Sequence, residues 1–459
     1  MPTRKPGTRG WSLYTWLGAT LTVIALGACS DSGGQGRERN TSDVPDAAED
    51  PLRGTWFAPS WGLALEASDG VLRMYELTTI SCRHYLDVPY SGLELPDIGG
   101  SAERDGGDLL IRMGMTDEIR ASALGTLPST CDEGGTMDSE DPRLSFEIFW
   151  HNFDEMYSSF DIRGVNWAAQ YAAFEQRVTP MTTTEELFEI LCEMTRPFDD
   201  PHVNINHGEA DCKSHPLPPW LQDDDVDAVS DAVAEQVYGE EASTTANDLI
   251  AYRVLAGNLG YVFVPGMGGY ADTPQDDLAT VEAAMDEIVA AFSGVKGVVI
   301  DVRLNGGGDD GIGFAIADRF ADKKRLAFSV QSRIADGWGD KRDYFVEPRG
   351  PAQFTGPVVL LTSAASVSAA ETFALALRAL PHVTVMGETT AGGFSTMMYR
   401  NLPDGLEYTV PFERVFANDG TTYEGIGIIP DVVVPFDSAA FIDGEDKMLA
   451  AAVAYLEQK

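Results

Sequence analysis

The spacing of apolar residues changes character along the chain, and each change predicts a different element type. From Leu52 to about Ser139 apolar and polar positions alternate, as in "VLRMYEL". Turn sequences such as "SDG" and "RDGG" interrupt the alternation, so residues 52–139 read as a small β domain. From Asp141 the period lengthens. "FEIFWHNFDEMYSSF" places Phe146, Phe149, Trp150, Phe153 and Tyr157 at helical spacing, which reads as a packed stripe. "TTEELFEILCEM" is a second helix, opened by a Thr183–Glu186 capping box and apolar at Leu187, Ile190, Leu191 and Met194. Pro197 ends it, so "FDDPHVNI" leaves as a loop running into a strand. Residues 140–213 therefore form a helical part. Residues 214–249 are acidic, begin Pro-rich, and read as a connector with room for one short helix.

Beyond residue 250 strands and helices alternate. "LGYVFVP", "VKGVVIDVR", "PVVLLTS" and "HVTVMGE" are strands, and the middle two are apolar throughout, as in strands buried on both faces. "DDLATVEAAMDEIVAAFS" and "SAAETFALALRAL" are helices between them. This is the texture of an α/β core with a mostly parallel sheet, over residues 250–459.

Composition adds a sign. The chain holds 72 acidic and 32 basic residues, a net charge of −40. Such a field repels nucleic acid and anionic membrane surfaces, so nucleic acid is not expected as a partner. The N-terminus reads as a leader. Arg4, Lys5 and Arg9 precede the apolar run "WLGATLTVIALGA", which ends in "LGAC" at Cys29. Residues 1–28 fit a lipoprotein signal, Cys29 is the candidate lipidation site, and polar residues 29–51 fit a flexible tether. The protein is expected outside the cytoplasm, held to a bacterial membrane by its N-terminal lipid. Four cysteines then remain, and export favours disulfides. Three pairings are open; the local one, Cys82–Cys131 with Cys192–Cys212, is favoured.

Chemistry concentrates in two stretches. "TSAASVSAAETF" carries Ser368 where a strand gives way to a helix. Ser-x-x-Glu is a capping box, and capping alone would explain it. The same position also sets a hydroxyl beside the free N–H groups and positive end of a helix, where an oxyanion can be stabilised. "DVRLNGGGDDG" follows a buried strand with Gly306, Gly307 and Gly308, whose backbone can face a cleft. No Gly-Lys-Ser/Thr is present and two aspartates follow at once, so this loop does not read as a phosphate cradle.

Taken in order, "GNLGYVFVPGM", "VVIDVRLNGGG", "LLTSAASVSAAETFALAL", "VMGETTAGG" and "YEGIGIIPDVVV" resemble the tail-specific, or C-terminal processing, serine peptidases. The nearer likeness is to the branch that includes the tricorn core and the repeats of interphotoreceptor retinoid-binding protein. "FWHNFDEMYSSFDIRGVNW" and "FDDPHVNI" look like that branch's N-terminal helical part. The resemblance runs from about Asp141 to Phe441. It implies a crotonase-like (ClpP/crotonase-type) core, with no cofactor or metal, acting on polypeptides.

The same likeness implies that Ser368 is the nucleophile, since "SAAE" matches the family's Ser-Ala-x-Glu. It does not imply a lysine base, because Gly393 stands where that lysine would be. "FDDPHVNI" instead offers His202, in a loop resembling Leu-x-Asp-x-His, and imidazole is a competent base near neutral pH. "YEGIGIIPD" implies Glu424 as its partner, with Asp200 and Glu388 as substitutes. Gly307 and Ala369 are the expected oxyanion donors. Fewer than 60 residues separate His202 from the core strand at Leu259, too few for a PDZ domain. Two other classes stay open. One is a non-catalytic binding protein for apolar ligands or peptides on the same scaffold. The other is a metallohydrolase holding zinc through His202, His207, Cys212 and His215.

Overall fold

A computed structural model describes residues 50–114, 116–131, 141–222 and 224–459. The expected signal, Cys29 and nearly all of the tether lie outside the described residues.

The N-terminal alternation does produce strands. Eight antiparallel strands, β1 (Gly54–Ala58), β2 (Leu63–Ser68), β3 (Val71–Leu77), β4 (Cys82–Pro89), β5 (Glu94–Leu95), β6 (Gly100–Asp105), β7 (Asp108–Met113) and β8 (Asp117–Ala123), run in the order β4-β3-β2-β1-β8-β7-β6-β5. Leu65, Leu72, Leu109 and Ile111 fill its interior. A Cys82–Cys131 disulfide ties β4 to the end of the domain.

The helical part starts at α1 (Pro142–Met156), where the Asp141 carboxylate accepts the Arg143 N–H at 3.0 Å and Pro142 opens the first turn. Short α2 (Phe160–Arg163) and α3 (Trp167–Phe174) follow. Helix α4 (Thr184–Thr195) carries the expected capping box, with Thr183 and Glu186 exchanging bonds of 3.2 and 3.0 Å. The aromatic stripe packs with Phe198 and Trp167 into one core. That core also takes Met398, Leu402, Tyr408 and Phe412 from far along the chain. Strands β9 (Asn204–His207) and β10 (Ala210–Lys213) join β19 (Met397–Asn401) and β20 (Glu407–Pro411) in one sheet, β10-β9-β20-β19. The boundary expected near residue 213 is therefore not a structural seam.

The connector also differs from its sequence reading. Its helix, α5 (Asp224–Gln236), is thirteen residues long and places Val226, Val229 and Val233 in a buried cluster with Leu259, Tyr261 and Phe263. The valines recur at helical spacing, but the acidic residues between them hide the period. Strand β11 (Ser243–Thr245) then opens the main sheet.

That sheet has the order β11-β12-β13-β14-β17-β18-β22. Strands β12 (Ile250–Leu255) and β13 (Leu259–Phe263) are antiparallel. From β13 through β14 (Val298–Asp301), β17 (Val358–Thr362), β18 (Val383–Gly387) and β22 (Val432–Val433) all neighbours are parallel. The crossovers carry α6 (Asp277–Ala291), α7 (Asp310–Ala317) and α8 (Ala369–Arg378). A ribbon of β15 (Arg325–Ile334), β16 (Gly337–Val346) and β21 (Glu413–Ala417) lies beside them. The alternating pattern thus becomes the predicted α/β core.

Candidate active site

Strand β17 ends at Thr362, and the turn after it uses its serines unequally. Ser363 and Ser366 are fully buried, and their hydroxyls donate to the carbonyls of Arg303 and Val302 respectively. They staple this turn to the end of β14. Ser368 is half-buried and lines a cleft. It is the N-cap of α8 and has φ +62°, ψ −128°, a conformation costly for a residue with a Cβ.

The glycine loop sits directly against it. A Cβ on Gly307 would lie 2.5 Å from the Ser368 Cβ, and one on Gly308 would lie 2.3 Å from the Met267 carbonyl oxygen. With φ of +96° and +135°, both positions demand glycine. The Gly307 N–H donates to Asn305 Oδ1 at 2.9 Å, so it is committed within the loop. Met267 bonds the Gly307 carbonyl and the Asp309 N–H, each at 2.8 Å. This pairing turns the Gly308 N–H the other way.

Glu371 was legible only as a cap. The capping box forms, with the Glu371 carboxylate accepting the Ser368 N–H at 3.2 Å. The carboxylate is fully buried and also accepts the N–H groups of Gly392 and Gly393, each at 2.8 Å, and the Thr390 hydroxyl. It thus holds the 390–393 loop against the serine turn. Burial pushes Glu371 up to about 7, against the pull of those four donors.

The 390–393 loop is the bridge to His202. The Gly393 carbonyl accepts the Ser368 N–H at 3.0 Å, while a Cβ on Gly393 would lie 2.5 Å from Pro201 Cγ. A lysine at 393 would collide with the Pro201 ring, which accounts physically for its absence. His202 follows at once and is buried. Its carbonyl accepts from the Thr409 hydroxyl at 2.7 Å, and its N–H donates to Asp200 Oδ1 at 2.9 Å. Neither ring nitrogen has a hydrogen-bond partner; the Ser395 carbonyl lies near the ring but outside bonding geometry. Burial lowers the imidazole pKa from its usual 6.5, with the Asp200 charge acting against it.

Glu424 does not bond the imidazole. Its carboxylate accepts Arg163 Nη2 at 2.7 Å and the Phe394 N–H at 3.0 Å. The Arg163 side chain, 6% exposed, also lies 3.8 Å from Asp200 and donates to the carbonyls of Asp199 and Gly392. Asp200 in turn accepts the Tyr157 hydroxyl at 2.8 Å. The acids therefore reach His202 through a buried Glu424–Arg163–Asp200 chain. Burial and the neighbouring Asp200 carboxylate push Glu424 up. Glu388 lies elsewhere, accepting the N–H of Phe436 at 3.0 Å. Sequence reasoning passed over Arg163, although it stands in "FDIRGVNW".

Two other expectations change. Cys192 and Cys212 are not bonded to each other. Instead the Cys192 thiol donates to the Cys212 sulfur, raising its own pKa and lowering that of Cys212. The zinc alternative finds no gathered ligand set among the described residues. Within its proposed set, His215 bonds Asp199 at 2.8 Å and Cys212 is taken by Cys192.

A strained serine at a buried helix terminus, faced by a glycine loop on a mostly parallel sheet, defines an α/β protein of the ClpP/crotonase class. Residues 258–434 match the family model "Peptidase family S41", and residues 138–196 match "Tricorn protease C1 domain". Over those two segments the chain is similar to the S41, tail-specific peptidases. The tricorn protease of Thermoplasma volcanium is 26% identical over 199 residues, 43% of this chain and 17% of that protein. The chloroplastic C-terminal processing peptidase of Tetradesmus obliquus is 29% identical over 193 residues, 41% of this chain and 39% of its own. The chain therefore spans well under half the length of these relatives. A solved structure from Parabacteroides merdae, of a protein assigned only provisionally as a peptidase, is 27% identical with a TM-score of 0.59. It covers 69% of this chain and 97% of that one.

Proposed function

We propose that this protein is an exported serine peptidase in which Ser368 is the nucleophile and His202 the base. The observation that carries the reading is Ser368 itself, strained, half-exposed and set at the start of α8 against Gly307 of the glycine loop. Ser368 Oγ attacks a peptide carbonyl while His202 takes its proton. His202 then protonates the leaving amine, and water cleaves the acyl-enzyme by the reverse route. The Ala369 N–H at the helix start and the Gly308 N–H stabilise the oxyanion; Gly308 replaces Gly307, whose N–H already serves Asn305. The uncommitted ring of His202 is available to close on Ser368 when substrate expels water from the cleft. Asp200 fixes the backbone of the histidine loop, and Glu424 holds Arg163 against it.

Substrates are polypeptides. The "LGAC" ending at Cys29 supports export and lipid anchoring, and no described helix is long and apolar enough to cross a membrane. Cleavage of a denatured protein substrate by wild type and by Ser368→Ala tests the reaction. Equal cleavage by both would remove the nucleophile assignment. Mass spectrometry of the mature N-terminus tests the anchor, with a lipidated Cys29 expected.

A further inference from the structure

The β domain is seated on the peptidase core rather than strung from it. Arg400 Nη2 donates to the Trp61 carbonyl at 2.5 Å, and the Trp61 and Phe412 rings lie 4.8 Å apart. Glu76 of β3 faces Arg400 at 4.0 Å, and both are buried. At one edge the Thr79 hydroxyl donates to Glu155 at 2.7 Å; at another the Tyr344 hydroxyl donates to the Thr116 carbonyl at 3.0 Å.

Between the two bodies lies a cleft of about 170 Å³ that includes Ser368. One wall is the β domain, presenting Trp61, Leu86, Ile98 and Met113; the other presents Phe394 and Met397. An apolar cavity of about 150 Å³ accepts a group the size of benzene, so this cleft has room for a bulky side chain. Its acidic and basic residues point the same way. Asp309 and Asp310 line it beside Ser368, and the one cation in its lining, Arg400, is turned to Trp61, to the Tyr399 carbonyl and to Glu76. An acidic side chain would meet two acidic groups there, and Arg400 already turns its Nη atoms to the Trp61 and Tyr399 carbonyls.

We propose that the eight-stranded β domain is a specificity element: it forms the wall that accepts an apolar substrate side chain next to the bond attacked by Ser368. This rests on the peptidase reading above. The occupant is a polypeptide segment, because the apolar wall is continuous with the serine and both open into one cleft.

The test uses the full chain and a set of fluorogenic peptides varied at each position around the cleaved bond. At one position wild type should prefer Leu or Phe over Asp by about 100-fold or more. Leu86→Lys and, separately, Ile98→Lys change half-exposed wall residues outside the catalytic groups. Each should reduce that preference at least ten-fold and raise cleavage of the Asp peptide, a gain that misfolding cannot produce. Unchanged preference in both variants, with Ser368 still labelled by a fluorophosphonate, would overturn the proposal. A wild-type chain that neither takes the label nor cleaves would instead sink the peptidase reading. The wall is then read by binding of fluorescein-labelled Leu and Asp peptides to Ser368→Ala. Tighter binding of the Leu peptide that Leu86→Lys abolishes supports it; equal binding of the two contradicts it.

Discussion

Around Ser368 the backbone is held by buried partners and the side chain opens to the cleft; around His202 the backbone is held equally well, but the ring is shut in and bonded to nothing. The serine side spends its polar groups on geometry. Glu371 gathers amides from two loops, and Asn305 ties the glycine loop to the serine turn through Val264, Gly307 and Val367. The histidine side spends them on holding a charged chain, Glu424–Arg163–Asp200, behind the imidazole. The contrast suggests which half must complete itself on substrate binding. On the proposed reading the nucleophile is pre-set by strain, and the base acquires its hydrogen bond last.

The largest effects should come from removing a reacting group. Ser368→Ala and His202→Ala should each lower kcat by about 10⁴-fold or more, and the double variant should lose little beyond either. Additive losses would separate the two sides and break the pairing. Because burial lowers the His202 pKa, its neutral form persists below pH 6.5. The acid limb of kcat/KM should then fall below that value, and a limb in the alkaline range would point to a different base.

Glu371→Gln comes next. It keeps the shape of the residue but turns an NH2 toward N–H donors, leaving some unpaired at about 1–3 kcal/mol each. Turnover should fall roughly 100-fold through displacement of Ser368, and the denaturation midpoint should fall with it. Glu424→Gln should cost only about ten-fold in turnover, since it removes charge and orientation but no reacting group. If Glu424→Gln proves the more damaging of the two, the relay matters more than the serine platform.

The smallest effect is on stability. Glu76, Asp310 and Glu371 are each pushed up to about 7 by burial, from 4.5, 3.8 and 4.5. A group raised in the folded state binds protons more readily there than in the unfolded chain. Its contribution is present below its unfolded pKa and is lost as pH rises through about 7. Melting temperature should therefore fall between pH 5 and pH 8. His202, shifted the other way, loses its contribution as pH falls below 6.5, and so opposes this trend.

Much of this was legible in the chain. Alternation in "VLRMYEL", the aromatic stripe and the Thr183–Glu186 box specify local structure, because each depends on neighbours within a turn or a hairpin. Ser368 was legible because strand, turn and helix meet at one short sequence. Arg163 and Glu371 were not legible as site residues. Their partners lie 261 residues away at Glu424, and 21 and 22 residues away at Gly392 and Gly393, so only the folded contact reveals the role. Gly307 was one of three adjacent glycines, and the choice of donor turns on a single bond to Asn305. The expected Cys192–Cys212 link rested on compartment and count, which say nothing of whether two sulfurs are joined. The connector's helix was obscured because its valines are embedded in acidic residues, although their helical spacing is present.

The central claim is that His202 activates Ser368. Intact-mass analysis of the reaction with a fluorophosphonate at pH 7.5, on wild type and His202→Ala, tests it directly. The account predicts a single adduct on Ser368 in wild type, and a labelling rate at least about 100-fold slower without the histidine. An adduct on another residue, or equal rates in the two proteins, would contradict it.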